Sequence, residues 1–112
     1  MRLEHQDGCA NFYGFEVSSA SIYARHSLAG GDFWLVRTRI EDATDADAMS
    51  VLREALAGAY EVGASRFSMR ILDERVLIIA QAVLGESVDL QIPGAKPVAY
   101  VEIPLETAAA EY

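Results

Sequence analysis

Residues 44–84 read TDADAMSVLREALAGAYEVGASRFSMRILDERVLIIAQAVL, and a change of period inside this stretch decides the fold. Thr44 is placed to accept the backbone N–H of Asp47 as an N-cap. Asp42, Asp45 and Asp47 set negative charge at the positive end of the helix dipole. Met49, Leu52, Leu56, Ala59 and Gly63 then recur at three- and four-residue spacing. Ala55 and Tyr60 widen the stripe, while Arg53, Glu54 and Glu61 lie away from its centre. Gly63 is expected to end the helix in a left-handed cap.

Beyond Gly63 the period becomes two. Phe67, Met69 and Ile71 alternate with Ser68 and Arg70, the polar Leu72-Asp73-Glu74-Arg75 reads as a turn, and Val76 to Leu84 reads as a second, almost wholly apolar strand. With Asp73-Glu74 at the tip, Ile71 faces Val76, Met69 faces Ile78 and Phe67 faces Ala80, an apolar face for the helix to cover. Leu77, Ile79 and Val83 then share the other face with Arg66, Ser68 and Arg70. That half-apolar, half-cationic face calls for cover from the same chain or from a partner.

Upstream, 20–28 and 32–40 flank Gly30-Gly31, a dipeptide suited to a tight hairpin turn. This turn sets Leu28 opposite Phe33 and His26 opposite Leu35 on one face, with Ser27 opposite Trp34 and Arg25 opposite Val36 on the other. Asn11 to Val17 adds a strand. Downstream, Val88, Leu90 and Ile92 alternate with polar residues, and Val98 to Ile103 lies between Pro97 and Pro104, which places it at a sheet edge. Residues 106–112 read as a frayed or weakly helical tail. The expected fold is a single α+β domain over 1–112, two layers deep, with one principal helix on an antiparallel sheet of about five to six strands.

With 112 residues and 52% hydrophobic content, the chain can bury a core without disulfides. One helix is nevertheless thin cover for so many strands, and a homodimer would supply the missing layer. The single Cys9 excludes an internal disulfide. Residues 1–7 lack the apolar stretch of a secretory signal and 76–84 is too short to span a bilayer, so a cytoplasmic protein without membrane attachment is expected. The net charge of −8 disfavours nonspecific binding to nucleic acid or anionic membranes.

Candidate chemistry is sparse. His5, Cys9 and His26 lack the spacing of a metal site or a nucleophile–base pair, so no metal, cofactor or catalytic residue is assigned. Asp42, Asp45 and Asp47 lack the glycine and terminal glutamate of a calcium loop and serve as helix-start residues. Nothing brings two of Glu16, Asp32 and Glu41 together as an acid–base pair. Phosphate loops, nucleophile elbows and zinc-protease motifs are absent from the sequence.

The strand pair, the helix Met49-Ser-Val-Leu-Arg-Glu-Ala-Leu-Ala-Gly-Ala-Tyr60 and the stretch Phe67-Ser-Met-Arg-Ile-Leu-Asp-Glu-Arg-Val-Leu-Ile-Ile79 together resemble, over residues 20–84, the core of class I type III secretion chaperones. The resemblance implies a small acidic cytoplasmic homodimer that holds an extended protein segment against exposed apolar patches. Residues 1–18 do not read as that family's first helix, nor 88–103 as its last. The reading is therefore a non-enzymatic protein-interaction module. Leu77, Ile79 and Val83 are its contact residues toward a partner or a second copy, and Tyr23 and Trp34 its aromatic anchors. Two alternatives stand beside it. One is an enzyme or ligand-binding domain with a pocket between helix and sheet near His26 and Arg37. The other is an acidic inhibitor that mimics nucleic acid.

Overall fold

Alternation of small or apolar residues with polar ones builds the second to fourth strands, and short turns join the first four in succession. The computed structural model describes residues 1–71, 73–85, 90–91 and 99–105. Its elements are β1 (Arg2–Gln6), β2 (Ala10–Val17), β3 (Ala20–Ser27), β4 (Asp32–Arg39), α1 (Asp45–Glu61), β5 (Arg66–Ile71), α2 (Glu74–Leu84), β6 (Leu90–Gln91) and β7 (Ala99–Pro104). Among the described residues the strands form one seven-stranded sheet in the order β1-β2-β3-β4-β5-β7-β6. The result is an α+β domain in which helix is packed on sheet, as expected.

The sheet is mixed, not antiparallel. α1 carries the chain across the sheet, so β5 runs parallel to β4, a connection that no tight hairpin can make. β1, which the alternation of 1–18 did not reveal, pairs with β2 at one edge. β7 lies between β5 and β6, so Val98 to Ile103 is not the edge strand that its flanking prolines implied. Of the strand expected around Val88 to Ile92, only Leu90 and Gln91 are described. Leu72 and the tail at 106–112 lie outside the described residues.

α1 begins as anticipated, with Thr44 Oγ1 accepting the N–H of Asp47 at 3.1 Å. It ends in a double cap: Ala64 N–H reaches the Ala59 carbonyl at 3.0 Å, Gly63 N–H reaches that of Tyr60 at 3.1 Å, and Gly63 takes a φ of +73°. Its buried side is Ala48, Val51, Leu52, Ala55, Gly58 and Ala59. This is the expected stripe rotated by one position, with Met49 and Leu56 at its margin and Tyr60 49% exposed. Small residues at the centre let the helix approach β2 and β3 closely, and the sheet supplies the volume through Phe15, Phe33 and Phe67.

The largest correction concerns 76–84. In place of a second hairpin strand this segment forms α2, capped by Asp73 Oδ1 accepting from Val76 N at 2.9 Å and ended at Gly85, φ +75°. Val76, Ile79, Ala80 and Leu84 are buried at helical spacing, and α2 packs against α1 and β5. Ile78, assigned to the interior by the hairpin register, is 59% exposed. Phe67, Met69 and Ile71 keep their expected burial, beneath two helices where one was foreseen.

The β3–β4 hairpin also differs in register. Its loop spans 28–31, and His26 pairs with Phe33, Arg25 with Trp34 and Ala24 with Leu35. This is a shift of two residues, which preserves the faces of β3 and of β4 as far as Leu35; beyond a bulge at Val36 the pleat of β4 inverts, so Arg37 and Arg39 leave the helix-side face that the expected register gave them. Both helices lie on the face that carries Phe15, Ile22, Phe33 and Phe67. Among the described residues no helix covers the opposite face.

Candidate functional site

The uncovered face takes its chemistry from the alternation of β2, β3 and β5 and from one bulge in β4. Cross-strand partners share a face, so the pairings Gly14 with Tyr23, Phe12 with Arg25, Arg25 with Trp34 and Tyr23 with Arg37 collect these residues on one side. The same alternation adds Arg2, Arg39, Arg66 and Arg70. Among the described side chains the face thus holds six of the chain's eight arginines against the carboxylates of Glu4, Glu16 and Asp32. The helices and the loops leading into them carry the opposite balance, with Glu41, Asp42, Asp45, Asp47, Glu54, Glu61, Asp73 and Glu74 against Arg53 and Arg75. A protein of net charge −8 has therefore sorted most of its positive charge onto one sheet face.

Some of these arginines are engaged. Arg2 pairs with Glu4 and, at 3.4 Å, with Glu16. Arg66 Nε lies 3.4 Å from Asp32 Oδ1, which also accepts from Ser68 Oγ at 3.0 Å. Arg37, Arg39 and Arg70 are exposed and have no ion-pair partner among the described residues. Aromatic rings lie between the charges: Phe12 stacks on Tyr23 with centroids 5.7 Å apart, and His5 tilts against Phe12 at 5.3 Å. Tyr23 and Trp34 are both half-buried on this face, where the sequence reading placed its aromatic anchors only by residue type.

A fork opens at its centre. β4 and β5 pair from Asp32–Arg66 to Leu35–Met69 and then stop, although β4 continues to Arg39 and β5 to Ile71. At the same level β4 bulges: Ala24 pairs with Leu35 and Tyr23 with Arg37, which leaves Val36 without a partner on β3 and 44% exposed. A cleft of about 270 Å³ occupies this point, lined by Trp34, Leu35, Val36, Arg37, Thr38 and Arg70. Arg37 also borders a second, shallower cleft of about 430 Å³ that runs over Tyr23, Ser21 and Arg39 toward Arg2 and Glu16. The two clefts are neighbours that share Arg37 as a lining residue.

On the helix side, beyond the end of β4, lies Arg75. Its guanidinium donates to the carbonyls of Ile40 and Ala43, both at 2.6 Å, and to Asp45 Oδ1 at 3.1 and 3.0 Å, tying the β4–α1 loop to the start of α2. A small cleft of about 260 Å³ remains there between Thr38, Ile40, Glu41, Asp73, Arg75 and Val76. A helix N-terminus of this kind attracts anions when its N–H groups are free. Here Thr44 takes one of them, and Asp45 and Asp47 oppose a phosphate.

The remaining sequence candidates are dispersed. Ile79 is 4% exposed in the core, and Leu77 and Val83 pack against that core on α2, so the three do not share a face with Tyr23 and Trp34. His26 is buried on the helix side and Arg37 lies on the opposite face, so the pocket expected between them does not form. Burial holds the His26 imidazole below its ordinary pKa, with a small opposing pull from Asp32. Cys9 is exposed. Asp7 accepts from the N–H groups of Cys9 and Ala10, both at 2.8 Å, and these bonds lower its pKa. Among the described residues no three His, Cys, Asp or Glu side chains gather as a metal site, and no helix is long and apolar enough to cross a membrane. The arginine face was not legible because alternation along 32–40 sets Arg37 and Arg39 on the side of Phe33 and Leu35, away from Arg66 and Arg70, and only the bulge at Val36 turns them to the other face.

No family model matches the chain, and no curated protein matches it. Among solved structures, the crystal structure of a candidate acetyltransferase from Agrobacterium tumefaciens is similar, with a TM-score of 0.66 and 8% identity over 86% of this chain and 76% of that one. At that identity the likeness is one of fold.

Proposed function

We propose that the protein is a non-enzymatic interaction module that holds an extended segment of a partner protein along its uncovered sheet face, with Tyr23 and Trp34 as the anchoring rings. The observation that supports this most is the shape of that face. Two clefts that meet at Arg37 reach from the fork at Val36 toward the β1 edge, on a face that carries half-buried aromatic rings and no covering layer among the described residues. Half-buried tyrosine and tryptophan beside arginine is the composition of interface centres. An extended segment fits neighbouring shallow clefts better than a compact ligand does. The manner of binding is the one implied by the resemblance to type III secretion chaperones, although the 67–79 stretch that carried the resemblance is a strand followed by a helix.

The test is selection from a displayed library of random peptides of about twelve residues, using the wild type and the Tyr23→Ala/Trp34→Ala variant. Peptides enriched by the wild type and lost by the variant are expected. Equal enrichment by both proteins, or none by either, would sink the proposal.

A second reading is favoured by the sheet shared with the Agrobacterium candidate acetyltransferase: an enzyme that holds its substrate in the fork. The acidic β4–α1 loop and the Arg75 tie weigh against a phosphate-bearing donor at the α1 N-terminus. Acetyl transfer to a panel of small amines, abolished by Arg70→Gln in a folded protein, would establish that reading instead.

A further inference from the structure

We infer that the segment taken by this face is acidic, with carboxylates at alternate positions that are received by Arg37 and Arg39 and, across the fork, by Arg70. The inference rests on the interaction reading above and adds the chemistry of the partner. Its first support is sorting of charge. Among the described side chains six arginines lie on this face against Glu4, Glu16 and Asp32, while the acids of the helices and their leading loops lie on the other, so the face is locally positive in a molecule of net charge −8. Its second support is incomplete pairing. Arg37, Arg39 and Arg70 are exposed and lack an ion-pair partner among the described residues, whereas Arg2, Arg66 and Arg75 have theirs. An arginine presents a planar fork of donors that matches a carboxylate.

The third support is spacing. Arg37 and Arg39 are two residues apart on one strand, so their side chains leave the same face about 6.8 Å apart. An extended peptide lying over β4 repeats its own side chains at the same interval, so acids at every second position meet successive arginines in register. The residues between them point away from the face. A nucleic acid strand is the weaker occupant, because its charge continues past the clefts into the field of an acidic molecule.

Trp34 supplies a direct readout, since it is the chain's single tryptophan and lines the fork. The probes are an acetylated peptide of six Glu-Leu repeats and its Gln-Leu counterpart, titrated at low and high salt while Trp34 fluorescence is recorded. The Glu-Leu peptide is expected to bind at least tenfold more tightly than the Gln-Leu peptide and to weaken with salt. It should lose at least tenfold in both Arg37→Gln/Arg39→Gln and Arg70→Gln proteins whose circular dichroism is unchanged. Equal, salt-independent binding of both peptides would overturn the acidic preference while leaving the segment reading in place. If neither peptide binds but single-stranded oligouridine does, or the protein proves to be a dimer that Arg37→Gln separates, both readings fall. Silence toward every probe also overturns them.

Discussion

Gly58 marks the tightest contact between the layers. A Cβ built there would lie 2.8 Å from Phe15 Cζ and 2.9 Å from Met1 Sδ. Alanine in place of glycine adds about 1 kcal/mol of helix propensity at an interior position. Overfilling a packed contact costs about 1–3 kcal/mol. Met1 is half exposed and can move, but Phe15 is buried and held edge-on to Phe33 at 6.3 Å, so the ring cannot yield. Gly58→Ala is therefore expected to lower the denaturation midpoint, with a loss of about 1 kcal/mol, and a variant more stable than wild type would show that the helix can lift. The sequence did not single out Gly58, because a glycine inside a helical pattern has no visible purpose until the ring above it is known. Thr44 and Gly63 were legible for the opposite reason: a cap is satisfied by neighbours within a few residues of sequence.

At the scale of elements, 74–84 is the instructive case. Its content of Val76, Ile78, Ile79 and Val83 favours a strand, and a short apolar run has no period that excludes one. Two local signals pointed to a helix, namely Asp73 as N-cap and Gly85 as stop, and tertiary packing against α1 and β5 agrees with them. Adjacent residues give the sharpest test. In a strand, Ile78 would be interior and Ile79 outward; in α2 the two exchange roles, at 59% and 4% exposure. Ile78→Asp is expected to change stability by no more than about 1 kcal/mol, as a surface change with a small loss of helix propensity. Ile79→Asp buries an unpaired carboxylate and is expected to cost on the order of 3 kcal/mol or more. Urea melts of the two variants decide the matter, and the reverse ranking would restore the hairpin.

On the scale of the whole molecule, stability and the proposed binding belong to different faces. The core lies between the sheet and the two helices, whereas Arg37, Arg39 and Arg70 project from the other side. Replacing all three with glutamine is expected to leave the melting free energy within about 0.5 kcal/mol of wild type, since exposed charges without partners contribute little to the fold. A cooperative unfolding transition shifted by several kcal/mol would mean that the arginines hold the sheet together. The sequence by itself determined the class of the fold, the start and stop of α1, the strands around 11–17, 20–28 and 32–40, and the faces of their side chains up to the bulge at Val36. All of these follow from local periodicity and capping, and a register slip of two residues leaves them unchanged. Only the tertiary structure decided that β5 runs parallel to β4, that 74–84 coils against α1, and that arginines distant in sequence meet around one fork. Those outcomes depend on which surfaces close on each other, an energy shared among residues far apart in the chain and written in no single segment of it.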